Sequence, residues 1–311
     1  MRHGAAATLA ASLAPWALTG CALRPEQDHT GAYAPSTLSL SKPVCTAWVF
    51  SSGGPRGFVH VGVLKALEQL ALRPDLIVGV SIGSLVGVLF AAGRSAADIE
   101  ALALDFNPFS VARLALGSEE RFSGNPLAEL VREQIARAAR PAVPTLLHQL
   151  PLPAVCVAQR LAAGGAADPG VGQGGATIGF SHGDAGLAVQ ASCAIPGLFT
   201  PVRIHGALYT DADLHTPLPV RLARSLGAQR VLAVDASAHE SRAPASAQRW
   251  RESDLRKRAL TQPDAAAADL VLHPDFGYYV SLSRDFRERA IEAGYRNTMA
   301  MAEALRHLHR V

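Results

Sequence analysis

Lysine is scarce: of 29 basic residues only Lys42, Lys65 and Lys257 are lysines, and the arginines that make up the rest are scattered along the chain. Acidic residues number 26, which leaves a formal net charge of +3 and no basic stripe. Nucleic acid is therefore excluded as an expected partner, because holding a phosphate backbone demands clustered cations. Charged residues are 18% and aromatic residues 6% of the 311, against 49% hydrophobic, so disorder is excluded and there is apolar mass for a core. Cysteine occurs four times, at Cys21, Cys45, Cys156 and Cys193, without the paired spacing of a metal site. No metal or other cofactor is expected. The uncharged run from Gly4 to Gly20 is broken by Pro15, and it falls short of the ~20 apolar residues of a spanning helix, so it is not a transmembrane span.

That run is laid out as an export signal, with Arg2 and His3 before it and small residues at its end, Leu18-Thr19-Gly20-Cys21. The ending resembles a bacterial lipobox, which implies cleavage before Cys21 and lipid attachment to its thiol and new amino terminus. Residues 1–20 are then a lipoprotein signal peptide and 21–43 a lipidated tether, with Pro25, Pro35, Pro43 and the cluster Ser36, Thr37, Ser39 and Ser41. By the same resemblance Ala22, rather than an aspartate, directs the protein to the outer membrane of a bacterial cell envelope. Attached lipid contributes about 0.8 kcal/mol per buried CH₂, so several chains hold a protein on a bilayer. An ordinary secretory leader with a chance cysteine is the alternative. The other three cysteines stand in apolar surroundings and read as buried thiols; a Cys45–Cys156 disulfide would require neighbouring strands.

The folded domain is expected over 44–311. Val44 to Phe50 reads as a strand, followed by the turn Ser51-Ser52-Gly53-Gly54-Pro55-Arg56-Gly57 and by Val59, Val63, Leu64, Leu67 and Leu70 at helical spacing. Pro74 to Val80 is a second strand, and Ile82 to Ala92 a helix closed by Gly93. This alternation predicts an α/β fold with a mostly parallel sheet and helices on its faces. Ser95 and Asp98 form a capping pair, and a helix begins near Pro126 and runs towards Arg140. Strands are expected at Ala154–Leu161 and Ala176–Ser181, around a Gly/Ala-rich connection, and Asp184 caps a helix to Ala194. A hairpin turns at His205-Gly206; then come a helix from Leu218 to Leu226, strands at Arg230–Asp235 and Leu270–His273, and a closing helix from Phe286 to His309. Residues 237–267, with Arg249, Arg251, Arg256 and Arg258, read as an exposed helical excursion with a solvated face.

Three features carry chemistry. Gly79-Val80-Ser81-Ile82-Gly83 is a G-x-S-x-G pattern at a strand-to-helix turn, where a serine projects its hydroxyl and glycines let the backbone bend; alone, the serine could equally be a helix cap. Gly53-Gly54 can aim backbone N–H groups at the oxyanion of an acyl transfer. The phosphate-cradle alternative lacks the Walker Lys-Ser/Thr ending, and Ser52 stands where the first glycine of a dinucleotide fingerprint would fall. Arg56 either steadies this loop by bonding carbonyls or attracts an anionic head group. Tyr209-Thr210-Asp211-Ala212-Asp213 ends a hairpin strand with two carboxylates, either of which could be the base a nucleophilic serine needs. His60, His182, His205 and His215 are the histidine candidates for that role.

These residues together resemble the patatin-like phospholipase family from about Thr46 to Ala300. Gly53 to Leu64 is similar to the family's oxyanion loop and following helix, Gly79 to Gly83 to its nucleophile elbow, Ala191 to Phe199 to its helix-to-strand signature, and Asp211 to Pro219 to its acid segment. The resemblance implies a three-layer patatin-like fold, a Ser81–Asp211 dyad without a histidine, and an oxyanion hole in the loop Gly53, Gly54, Arg56 and Gly57, with Gly53 and Gly54 as the donors. The implied substrate is membrane phospholipid or lysophospholipid, hydrolysed through an acyl-enzyme. Three residues depart from the family's pattern: Ser52 for a glycine, Asp213 for a small residue, and Thr216 for an asparagine. Ser52 is expected to present its N–H as a glycine would, and Asp213 to raise the pKa of a neighbouring buried carboxylate. The rival readings are a Ser-His-Asp esterase or thioesterase and a non-catalytic lipid-binding lipoprotein.

Overall fold

In the computed structural model, residues 27–40, 43–107, 110–115, 120–138, 145–162 and 175–310 are described. Cys21, the expected lipidation site, lies outside the described residues, as does most of the Gly/Ala-rich connection after Leu161. In chain order the elements are β1 (Thr46–Phe50), α1 (Val59–Gln69), β2 (Leu76–Val80), α2 (Ile82–Ala91), α3 (Ala96–Leu104), β3 (Arg113–Leu114), β4 (Phe122–Ser123), α4 (Asn125–Ala138), β5 (Ala154–Arg160), β6 (Thr177–Phe180), α5 (Ala185–Ser192), β7 (Val202–Ile204), β8 (Ala207–Asp211), α6 (Val220–Ser225), β9 (Arg230–Val234), α7 (Arg251–Ala266), β10 (Leu270–Leu272), α8 (Arg284–Ala300) and α9 (Ala302–His309).

Alternation along the strands decides the layering. Trp48, Phe50, Ile77, Cys156, Leu232 and Val234 point to one face, where they pack on Leu64, Leu89, Val131, Ala188, Ile291 and Leu305 from α1, α2, α4, α5, α8 and α9. Ala47, Val49, Val78, Val80, Val155, Val157 and Val231 point to the other, against Val220 and Ala223 of α6, with Ala265 of α7 alongside. The result is a mixed α/β fold of three layers with a mostly parallel sheet, in the order β10-β9-β1-β2-β5-β8-β7 and with β6 also on β5. The run β10-β9-β1-β2-β5 is parallel, and β6, β7 and β8 join antiparallel.

One register brings the site together. β5 pairs with β2 along Ala154–Val157 and with β8 along Ala158–Arg160, while β6 pairs across Cys156–Gln159. Because a strand has two edges, β2 and β8 share one of them end to end. Val80 sits opposite Val157 and Asp211 opposite the next residue, Ala158, so the end of β8 meets the point where β2 turns into α2. α1 and α8 cross by backbone contact: a Cβ on Gly62 would lie 1.8 Å from Ile291 O, and one on Gly294 2.2 Å from Val59 O.

The structure corrects two sequence expectations about the fold. Residues 27–40 lie along the domain rather than standing off it as tether: His29 bridges to Ile204, Ser36 to His182, and Leu38 N–H donates to Ser181 Oγ at 3.0 Å. The unpaired edge of β7 and the backbone just after β6 supply the groups that capture the segment. The closing helix is two helices, because Met301 (φ −102°, ψ 14°) leaves the helical region. That break lets α9 pack Leu305 and Leu308 inward and places His309 Nε2 to accept from Trp48 Nε1 at 2.9 Å. Cys45 and Cys156 are free thiols, as the leading reading of the sequence has them, since β2 stands between β5, which carries Cys156, and β1, which Cys45 precedes. Among the described residues no helix is long and apolar enough to cross a membrane.

Candidate active site

Ser81 joins β2 to α2 with φ 55° and ψ −125°, a conformation that costs a non-glycine residue about 1–3 kcal/mol and persists only where the surroundings enforce it. They do so through close approach. A Cβ on Gly79 would fall 2.5 Å from Gly83 C, and one on Gly83 would fall 2.4 Å from Phe50 O. Ser192, the last residue of α5, accepts the Ser81 N–H at 2.9 Å and donates its own hydroxyl to Val157 O at 2.6 Å. Ser81 O accepts from Ser84 N–H and Oγ–H at 2.9 and 2.7 Å, so the residue is fastened from both sides at the positive end of α2.

Asp211 is 2% exposed. Its N–H donates to Ala194 O at 2.9 Å, its Oδ1 accepts the Asp213 N–H at 2.8 Å, and its carboxyl lies beside the Ser81 side chain. Burial pushes the carboxyl up to about 7. The Ser81 side chain opposes that rise, the nearby Asp213 charge adds to it, and the Asp213 N–H and the Lys257 ammonium oppose it further.

Gly54 begins a 3-10 turn, Gly54–Phe58, at φ +52°, with Gly53 extended before it. The first N–H groups of such a turn have no partner inside it, which leaves Gly53 and Gly54 as the donors facing outward. Arg56 and Gly57 also shape this loop through their side chains and packing. The Arg56 N–H closes the turn on Gly53 O at 3.1 Å. Its buried guanidinium steadies the loop by bonding Gly277 O at 3.2 Å and Tyr278 O, and it lies over the Phe276 ring, so the head-group reading is not supported. Gly57 is a packing requirement, because a Cβ there would lie 2.2 Å from Ile82 Cγ2. The expectation for Ser52 is also corrected: its N–H donates to Pro217 O at 2.9 Å and is turned away from the loop's open side. Its hydroxyl bonds Asp213 Oδ1, and so does Lys257 Nζ, which also donates to Ser52 Oγ at 3.1 Å. The third departure, Thr216, shares a hydroxyl hydrogen bond with Thr177 at 2.9 Å.

The histidines occupy other roles. His60 is fully buried, and its Nε2 donates to Ser51 O at 2.9 Å while its ring meets Phe50 edge-on. Burial lowers it to about 4, so it is neutral at any ordinary pH. His182 stacks on His148, His205 occupies the hairpin turn at φ 48°, and His215 donates its backbone N–H to Ala212 O.

Beside Ser81 opens a cavity of about 270 Å³ whose lining includes Phe58, Ile82, Leu85, Phe106, Leu127, Ile195, Leu198, Phe199 and Leu282, with Gly54 at the same wall. The strained Ser81, the Gly54 turn and an apolar slot therefore meet in one place, a shape that suits an ester with a hydrocarbon chain. Two nearby residues were not read from the sequence. Cys193 lines the cavity, and burial first, then Asp211, holds its thiol well above the ordinary thiol range. Lys257 arrives from α7, and its only sequence signal was its rarity.

The patatin-like phospholipase family profile matches residues 48–224. An uncharacterized NTE family protein of Mycobacterium bovis is 31% identical over 212 residues, covering 67% of this chain and 54% of that protein, so the chain spans about half the length of this relative. Lysophospholipase NTE1 of Coccidioides immitis is 29% identical over 213 residues, 63% of this chain and 12% of that one. In fold the chain is similar to VipD of Legionella pneumophila, with a TM-score of 0.53 at 12% identity, across 90% of this chain and 71% of VipD. The matched stretch takes in the glycine loop, the elbow and the β8 carboxylates and spans more than half of the sequence, and on that ground the chain belongs to the patatin-like phospholipase family.

Proposed function

We propose that the protein is a lipid acyl hydrolase of phospholipase A or lysophospholipase type, with Ser81 as nucleophile, Asp211 as base, and Gly53 and Gly54 as oxyanion donors. The observation that carries this reading is a strained serine on the wall of an apolar cavity, with a buried carboxyl beside it. In the first half-reaction Asp211 takes the Ser81 proton as Oγ attacks the ester carbonyl carbon, and the negative charge on the carbonyl oxygen falls between the Gly53 and Gly54 N–H groups. Collapse expels the alcohol, which leaves with the proton from Asp211. Water then attacks the acyl-enzyme, Asp211 takes its proton, and Ser81 recovers one as the fatty acid leaves. A histidine base is the weaker reading, since His60 commits its Nε2 to a backbone carbonyl.

A fluorophosphonate probe tests the reading: it should label the wild type at Ser81 alone, and esters carrying one hydrocarbon chain on a phospholipid or lysophospholipid head should be cleaved. Absence of both labelling and hydrolysis, with lipid still bound, favours the non-catalytic lipoprotein. The pH profile is the finer check. Asp211 must be ionised to accept the proton and its pKa lies at about 7, so kcat/KM should fall as pH drops below that value and level off above it. A limb in the unperturbed carboxylate range of about 4 would exclude a buried base.

The membrane anchor is part of the same proposal, resting on Leu18-Thr19-Gly20-Cys21. Cys21→Ser should abolish palmitate incorporation and normal processing, and metabolic labelling of the two proteins side by side checks it. Equal labelling would remove the anchor and the envelope location together.

A further inference from the structure

Two residues that depart from the family's pattern are in contact with each other and with a third. Ser52 lies in the loop after β1 and Asp213 two residues beyond β8, yet Ser52 Oγ bonds Asp213 Oδ1, and Lys257 of α7 bonds both. A carboxylate at position 213 faces a buried carboxyl two residues away, and like charges so close disfavour ionisation of the pair. Its N–H is nonetheless useful, because it donates to Asp211 Oδ1 at 2.8 Å.

We propose that Lys257 is a positioning residue for the base: with Ser52 it neutralises and holds Asp213, so that Asp213 turns its N–H, and not an uncompensated charge, towards Asp211. The inference rests on the Ser81–Asp211 reading. The groups facing Asp211 are the Ser81 hydroxyl from the elbow, the Cys193 thiol after α5, Asp213, and Lys257. Those facing Asp213 are Ser52 and Lys257. Of the other charges of α7, Asp254 bonds Tyr278, Arg256 pairs with Glu252, Arg258 with Glu240 and Asp264 with Arg221, whereas Lys257 is the α7 side chain bonded to Asp213. Its half-buried setting explains why the pair matters through its neighbour more than through its own attraction, since exposed ion pairs stabilise little. The family's small residues avoid the like-charge problem; this chain admits the acid and supplies a cation from an outlying helix.

The rate of fluorophosphonate labelling of Ser81, followed from about pH 5 to about pH 9, reads the base directly. Lys257→Met should move the acid limb upward by about one pH unit, so that labelling near pH 6 falls about tenfold while the plateau rate is kept. Asp213→Asn should move the limb downward, the double variant should return it towards the wild-type position, and Lys257→Arg should leave it in place. Lys257→Gln carries the same arm if the methionine variant folds poorly. An unmoved limb in Lys257→Met or Lys257→Gln, or a rate lowered equally at every pH, reduces Lys257 to a structural contact and overturns the proposal. So does a double variant that stays shifted. Asp211→Asn separates this from the dyad: if that variant still labels, the base is misassigned and both readings fall, whereas its silence with an unmoved limb in Lys257→Met removes only this one.

Discussion

Asp211→Asn should silence the enzyme and, at alkaline pH, make it harder to unfold. The activity loss is expected on the order of 10⁴-fold, comparable in severity to Ser81→Ala, because an amide keeps the shape of the side chain and removes the proton acceptor. His60→Gln and His215→Gln should keep substantial turnover by comparison. The stability gain follows from linkage. A carboxyl raised from its ordinary range to about 7 binds its proton more tightly folded than unfolded, so its contribution is favourable at low pH and is lost as pH climbs towards 7, levelling off above. Asparagine carries no such titration. Thermal unfolding of the two proteins should therefore coincide best below about pH 4 and diverge in favour of the variant as pH rises to about 8. A variant that is both active and less stable at high pH would show that Asp211 is neither the base nor a strained buried acid.

Gly62→Ala should cost about 3 kcal/mol in urea unfolding, at the upper end for a single inserted methyl in a packed interior. The added carbon would sit 1.8 Å from Ile291 O and 2.6 Å from Tyr295 N, and both are backbone atoms that cannot swing aside. α8 would have to move off α1, and α1 follows directly on the turn that presents Gly53 and Gly54. Activity should fall with stability. Gly31→Ala is the control, since a methyl there meets nothing within 4 Å, and its unfolding midpoint should be unchanged. Equal midpoints for the two variants would mean that the helices do not touch through this glycine.

The parts of the fold that were legible in the sequence are those set by local rules. The short apolar runs of Thr46–Phe50 and Leu76–Val80, the Ser95–Asp98 capping box and the left-handed Gly93 each act within a few residues, and each stands where expected. Ser81 was readable for the same reason, since a serine between two obligatory glycines at a strand-to-helix turn leaves the chain few choices. Lys257 was not. It lies 44 residues from the carboxylate it holds, on a helix whose neighbouring arginines face solvent, and nothing local distinguishes its turn from theirs. The docking of residues 27–40 was hidden in a similar way, because polar sequence that spends its hydrogen bonds on a sheet edge has the composition of a linker. The break at Met301 interrupts a run that keeps helical character on both sides, and only the burial of Trp48 beneath α9 calls for it.

The single edge of β5 on which β2 and β8 follow one another has a bearing on how this protein can change over time. Val80 and Asp211 are read against adjacent rungs, Val157 and Ala158, so their spacing is a property of one strand and not of the roughly 130 residues of chain between them. Segments outside the ladder between Ser81 and Asp211 can therefore lengthen, shorten or be exchanged while nucleophile and acid stay one rung apart. Insertion of a single residue within Ala154–Arg160 has the opposite effect, turning alternate side chains to the wrong face and parting the two groups at once. Variation is thus free to accumulate in the connections, and the spacing of the site is inherited through seven residues that do not line its cavity.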